Sequence, residues 1–124
     1  MVDKRFTAMA LGCLLLIGTA ATGFAHHSHA MFDESKEVDV TGTVKRYNFM
    51  NPHVYLFLDV KGADDAVTTW PIEMSYIQNM ISRGINASTF KVGDVITVTI
   101  NPLRDGHSGG SYTAVIDAAG KHYK

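Results

Sequence analysis

The sequence predicts a mainly β fold, a small barrel of five strands with one short helix between the third and fourth. Three observations predict it. Apolar and polar residues alternate over segments of strand length. Clusters of glycine, proline, asparagine and aspartate separate those segments. Only one stretch, residues 75–84, spaces its apolar residues as a helix does.

Ahead of these elements lies a segment of a different kind. Lys4 and Arg5 precede an apolar run from Phe6 to Ile17, and small residues lead from there to Gly23, Phe24 and Ala25. That is the layout of a secretory signal, with cleavage expected after Ala25 and with Ala21 and Thr22 as competing positions. The run is shorter than the ~20 residues that span a bilayer, so no stable membrane span is expected after cleavage. Cys13 does not make this a lipoprotein signal, because Leu14 to Ile17 continue the apolar run past it. It is the only cysteine, so the exported chain must hold together by packing without a disulfide. The expected location is the periplasm, reached through the Sec pathway. Cleavage removes Asp3, Lys4 and Arg5, which takes 11 basic residues to nine and 12 acidic residues to eleven, a net charge of −2. About 99 residues remain, enough for one small domain. A slightly acidic chain lacks the basic footprint of a nucleic-acid binder, and none is expected as a partner.

Residues 1–25 are thus read as the signal, 26–37 as a flexible His-rich leader, and 38–124 as the barrel. In the first strand Val38, Val40, Gly42 and Val44 alternate with Asp39, Thr41, Thr43 and Lys45. Gly42 in its middle suggests a bulge or sharp bend that coils the strand. Asn51-Pro52 then marks a turn. Residues 54–60, VYLFLDV, form the strongest strand: Val54, Leu56, Leu58 and Val60 face one way, and Tyr55, Phe57 and Asp59 the other. KGADDA is a hairpin loop and VTTWPIE a third strand, placed at an edge or near a strand end by Pro71. Ser75 with Gln78 three residues on forms a capping box; Ile77, Met80 and Ile81 supply the helix stripe, and Arg83-Gly84 the stop. VITVTI, residues 95–100, and SYTAVIDA, residues 111–118, are the fourth and fifth strands, joined by the glycine-rich RDGHSGG. This order matches the OB-type Greek-key barrel, and a small α+β sandwich is the alternative arrangement of the same elements.

Ligands of such barrels commonly meet the loops joining strands one to two and four to five. Those loops carry His53 and His107, two imidazoles that could share a metal ion. The leader offers more. His26, His27 and His29 fall within four residues, and cleavage after Ala25 would let the free amine and ring of His26 chelate copper(II), with nickel or zinc as alternatives. His27 and His29 lie two apart, on one side of an extended chain. The aromatic residues Tyr47, Phe49, Tyr55, Phe57 and Trp70 concentrate on the first three strands, and Tyr55, Phe57 and Trp70 are the candidate ligand-binding set there. Catalysis is not expected: no serine sits in a nucleophile elbow, and His53 with Asp59 is the one conceivable base and orienter.

The motifs also resemble a family. HHS at residues 26–28, Phe32 and Asp33, TGTV at 41–44, NPH at 51–53, Arg83-Gly84, and the Lys91, Gly93, Asp94, Ile96, Val98 pattern resemble small exported proteobacterial proteins classified only as a domain of unknown function. The resemblance runs through nearly the whole mature chain and implies a periplasmic, OB-like barrel with no assigned activity. The resemblance implies a tryptophan just after Arg83-Gly84, where this chain has Ile85. A looser architectural resemblance is to periplasmic OB barrels that carry copper or silver on His, Met and Trp, for which Met50, His53, Met74 and Trp70 are the residues here.

The sequence therefore predicts a periplasmic, non-catalytic binding protein. Transition-metal binding, copper first, leads, through His26, His27, His29, His53 and His107. The alternative is an accessory module that docks a partner protein or glycan on its aromatic sheet face.

Overall fold

The strand alternation closes into a barrel. The computed structural model describes residues 27–124. The expected signal, residues 1–25, and His26 lie outside the described residues. The chain divides into two compact units, Met1–Ala30 and Met31–Lys124. In the first, the described residues form one helical turn, α1 (His27–Ala30). The extended backbone expected for His27 and His29 is therefore corrected to a helical one.

The second unit holds β1 (Val38–Asn48), β2 (Tyr55–Lys61), β3 (Val67–Glu73), α2 (Ile77–Ser82), β4 (Val95–Pro102), β5 (Gly110–Ile116) and β6 (His122–Tyr123). β1, β2 and β3 form an antiparallel meander, β4 pairs with the other edge of β1, and β5 pairs with β4. A short parallel ladder, Ile72 with Gly110 and Glu73 with Ser111, joins β3 to β5 and closes the five-stranded wall. β6 is an addition the sequence reading lacked: it pairs only Val115 with Tyr123 and Ile116 with His122, too short to show an alternation.

β1 belongs to both halves of the wall. Val38 to Thr43 pair with β4, and Thr43 to Asn48 pair with β2. Gly42 stands at this changeover, where an added Cβ would lie 2.8 Å from the carbonyl oxygen of Asp59. The bend expected at Gly42 is thus a close strand approach; the bulge itself falls three residues on, between Val44 and Arg46. Inward residues Val40, Val44, Leu56, Leu58, Ile72, Ile96, Val98, Ile100 and Val115 fill the barrel, and no polar or charged residue among those described is buried with them. Each such aliphatic side chain contributes about 2 kcal/mol by leaving water.

α2 seals one end of this core with Met80, which is fully buried. Its cap differs from the expected Ser75 box. Ser75 makes no side-chain cap; the Ile77 amide donates instead to Asn51 Oδ1 at 3.0 Å, from the NPH turn. The Ser75 carbonyl accepts from the Val54 amide at 3.0 Å, so the β1–β2 loop and the start of α2 are sewn together twice. The stop at Arg83-Gly84 is as expected. The amide of Gly84 donates to Ile81 and that of Ile85 to Met80, both at 2.9 Å, which is the Schellman pattern. Ile85, just past that stop, is buried in the core.

The leader is shorter than expected. Residues 31–37, read as flexible, strap onto the barrel. The Asp33 amide donates to the Pro102 carbonyl at 2.8 Å, and the Arg104 amide donates to the Met31 carbonyl at 2.9 Å. Phe32 bridges Leu103 and is 5% exposed. The Ser35 hydroxyl and the Lys36 ammonium beside Asp33 hold its carboxyl down at about 2. A strap of two ladder bonds and one buried ring has no periodicity, which is why sequence pattern alone missed it. Among the described residues no helix is long and apolar enough to cross a membrane.

Closure of the wall depends on Gly110, whose added Cβ would sit 2.5 Å from the Asn101 carbonyl oxygen and 2.7 Å from Ile100 Cδ1. Gly110→Ala is expected to cost about 2 kcal/mol, lowering the unfolding midpoint by about 10 °C, as read by thermal circular dichroism.

Candidate functional site

The alternation of β2 sends Leu56 and Leu58 into the core and leaves Tyr55, Phe57 and Asp59 on the outer face. The rings of Tyr55 and Phe57 stack along the strand, 6.1 Å apart and inclined by 26°. The β1 bulge decides what lies beside them. Val44 opposes Leu58 and Arg46 opposes Phe57, so Lys45 is the extra residue. A bulge of this kind lets two consecutive side chains share a face. The Arg46 guanidinium lies 4.0 Å from the Phe57 ring centre. Lys45 Nζ lies 3.1 Å from Thr69 Oγ1 and 3.6 Å from Asp59 Oδ1, while the Thr69 hydroxyl donates to Asp59 Oδ1 at 2.7 Å. Lys45, Arg46, Phe57 and Thr69 line a groove of about 410 Å³.

The sequence reading missed Lys45, Arg46 and Thr69. A signal was present: strict alternation would turn Arg46 inward and Tyr47 outward, a poor arrangement that one extra residue corrects. The expected aromatic set divides accordingly. Trp70 opposes Leu58, so it shares the core side, where it and Tyr47 and Phe49 pack half-buried against the apolar cluster. Trp70 therefore leaves the Tyr55–Phe57 face.

At the other end of this platform Glu73 collects two partners. The Tyr55 hydroxyl donates to Glu73 Oε2 at 2.8 Å, and His53 Nδ1 lies 3.4 Å from Glu73 Oε1. Burial, then the hydrogen bond to Glu73, pushes the Tyr55 hydroxyl up to about 12. Tyr55 and Glu73 also border a small cleft of about 130 Å³, walled by Phe32, Pro71 and Leu103. The carboxylate beside His53 is thus Glu73, and the conceivable His53–Asp59 pair is corrected: Asp59 serves Thr69 and Lys45.

His53 and His107 each have a carboxylate of their own. His107 Nδ1 lies 3.0 Å from Asp105 Oδ2 in the β4–β5 loop, on a largely exposed side chain. The His107 amide also donates to Asp105 Oδ1 at 3.0 Å. That amide, then the imidazole, holds the Asp105 carboxyl below the usual range. The register from Tyr55 to Glu73 and from Glu73 to Ser111 places both loops at the same end of the wall. Among the described residues, however, no three His, Cys, Asp or Glu side chains gather closely enough to hold a metal ion. Of the looser His–Met–Trp set, Met74 is a core residue and Met50 is exposed. His26 lies outside the described residues; His27 and His29 lie in α1, with His29 exposed.

A closed Greek-key wall of five strands, with one helix between β3 and β4, defines an OB-type barrel. The chain belongs to a family of unknown function, DUF6152, which matches residues 13–113. Among solved structures it is similar to the mitochondrial single-stranded DNA binding protein Rim1 from S. cerevisiae, with 6% identity and a TM-score of 0.50, over 66% of this chain and 92% of that one. At that identity the likeness establishes the fold alone. No curated protein matches the chain significantly.

Tyr55 retains its proton to higher pH in the folded state than in the unfolded state. Its contribution to stability is therefore complete below about pH 10 and lost as pH rises to about 12. Urea unfolding of Tyr55→Phe across this window is expected to show a shallower alkaline loss than the native sequence.

Proposed function

We propose that the protein is a periplasmic, non-catalytic binding module that docks a partner protein or glycan on the outer face of β1, β2 and β3. The observation that carries this reading is the stacked Tyr55–Phe57 pair, held on the outside of a barrel whose other first-sheet rings turn inward. These two half-buried rings on a rigid sheet lose little conformational entropy on contact, and flat rings suit both sugar and peptide surfaces. Glu73 serves this face as an anchor: by accepting from Tyr55 it fixes one ring of the platform. Single-stranded DNA, which the name of the similar yeast protein specifies, is not carried over. Residues 26–124 have a net charge of −2, and nucleic-acid affinity depends on neutralising phosphates. A photo-crosslinking residue placed at Phe57 in the exporting cell is expected to capture a partner species that the same residue at Val92 does not. Equal yields at the two positions count against this face.

Copper binding is the second reading, and a sequence observation favours it: three histidines within four residues at the expected mature start. Because His53 and His107 sit in separate carboxylate pairs, this reading now rests on His26, His27 and His29. The tag-free mature protein is expected to take up one copper(II) with micromolar affinity by calorimetry, the scale of a small nitrogen chelate. Replacing the three leader histidines with alanine should abolish that uptake, and His53→Gln with His107→Gln should leave it intact.

A further inference from the structure

We infer that the groove between Lys45, Arg46, Phe57 and Thr69 is a binding site for an aromatic carboxylate, a flat apolar ring bearing one anionic oxyacid group. This rests on the docking face proposed above and gives it a ligand chemistry.

The two halves of such a ligand have separate counterparts. Phe57 supplies the apolar floor of the groove, with Tyr55 stacked beside it along β2. Arg46 lies against the Phe57 ring at 4.0 Å, so one face of its guanidinium is covered by the ring. A guanidinium has five N–H donors in a planar fork, and stacking engages none of them. Arg46 has no carboxylate partner among the described residues. The fork is therefore held in place and still has donors to give.

Lys45 is held differently. Thr69 of β3 and Asp59 of β2 hold its ammonium, and Asp59 offsets only one of the two cations. The groove thus keeps one positive charge beside an apolar floor. A carboxylate matches the fork in a bidentate geometry, with Lys45 as a second cation nearby. Its attached ring would pack against the part of Phe57 that Arg46 leaves uncovered. A neutral ring would leave the guanidinium unmatched, and a free inorganic anion would leave the floor uncovered. The volume of about 410 Å³ falls within the range of small-molecule sites.

The bulge is what makes this arrangement possible. If β1 ran on in regular alternation with no bulge, Lys45 would stay outward, Arg46 would turn toward the core, and the two cations would lie on opposite sides of the sheet. The site is therefore built into the backbone rather than assembled from unrelated surface charges.

The test is a titration of the isotope-labelled protein with 2-naphthoate, followed by nuclear magnetic resonance. Uncharged 2-naphthalenemethanol and inorganic sulfate serve as the two half-ligand controls. Saturable shifts are expected at Lys45, Arg46, Phe57 and Thr69, with a dissociation constant on the order of 1 mM, the scale for a ligand of this size. Arg46→Gln should weaken binding at least about tenfold, and Arg46→Lys should fall between. Position 46 is on the outer face, and an unchanged spectrum elsewhere verifies the fold of each variant. The proposal is overturned if naphthoate shifts no groove residue, if Arg46→Gln binds equally well, or if either control binds as tightly as naphthoate. A positive crosslink at Phe57 alongside any of those results would retain the docking face and remove the carboxylate. Loss of the crosslink with naphthoate still bound would do the reverse.

Discussion

The meeting of β3 with β5 is the contact on which the rest of the structure depends. Only two residue pairs make it, Ile72 with Gly110 and Glu73 with Ser111, yet they turn an open meander into a closed wall. The contact requires a strand start without a side chain, because at Gly110 the carbonyl of Asn101 and the side chain of Ile100 already occupy the space of a Cβ. Closure covers the apolar faces of β2, β3 and β4 against one another, which no single sheet of this size could do. It also gathers the ends of β2, β3, β4 and β5 at one rim. There the Glu73 carboxylate meets Tyr55 and His53, and the strap of residues 31–37 finds the end of β4 to pair with.

The second constraint is the phase of β1. This strand serves two neighbours in succession, and the changeover is accommodated by the close approach at Gly42 and the bulge at Lys45. The first solves a steric problem. The second has a chemical consequence, since it turns two cations outward beside Phe57 and returns Tyr47 to the core, where its ring meets Phe90 edge-on at 5.2 Å. Barrel coiling and the ring-and-cation groove thus come from the same few residues. Family membership places the chain among proteins of unknown function.

The NPH motif is explained by the same frame. Asn51 caps α2, Pro52 follows in a cis peptide bond, and His53 reaches Glu73. A triplet that reads as a candidate metal loop in sequence is, within the described barrel, a clasp between the β1–β2 loop, the helix and β3.

The sequence by itself determined the elements and their order. Alternation over β1, β2 and β4, the helix spacing over Ile77, Met80 and Ile81, and the stop at Gly84 are local signals that need no partner strand to be read. They sufficed for the OB-type barrel and for placing Tyr55 and Phe57 opposite Leu56 and Leu58. Tertiary structure decided everything that depends on what lies across a ladder. The inward turn of Trp70, the outward turn of Arg46, the capping of α2 by Asn51 and the seating of Phe32 each involve residues distant in the chain. Local periodicity fixes which side chains share a face, whereas register fixes which faces meet. A one-residue bulge changes register without leaving any mark on composition.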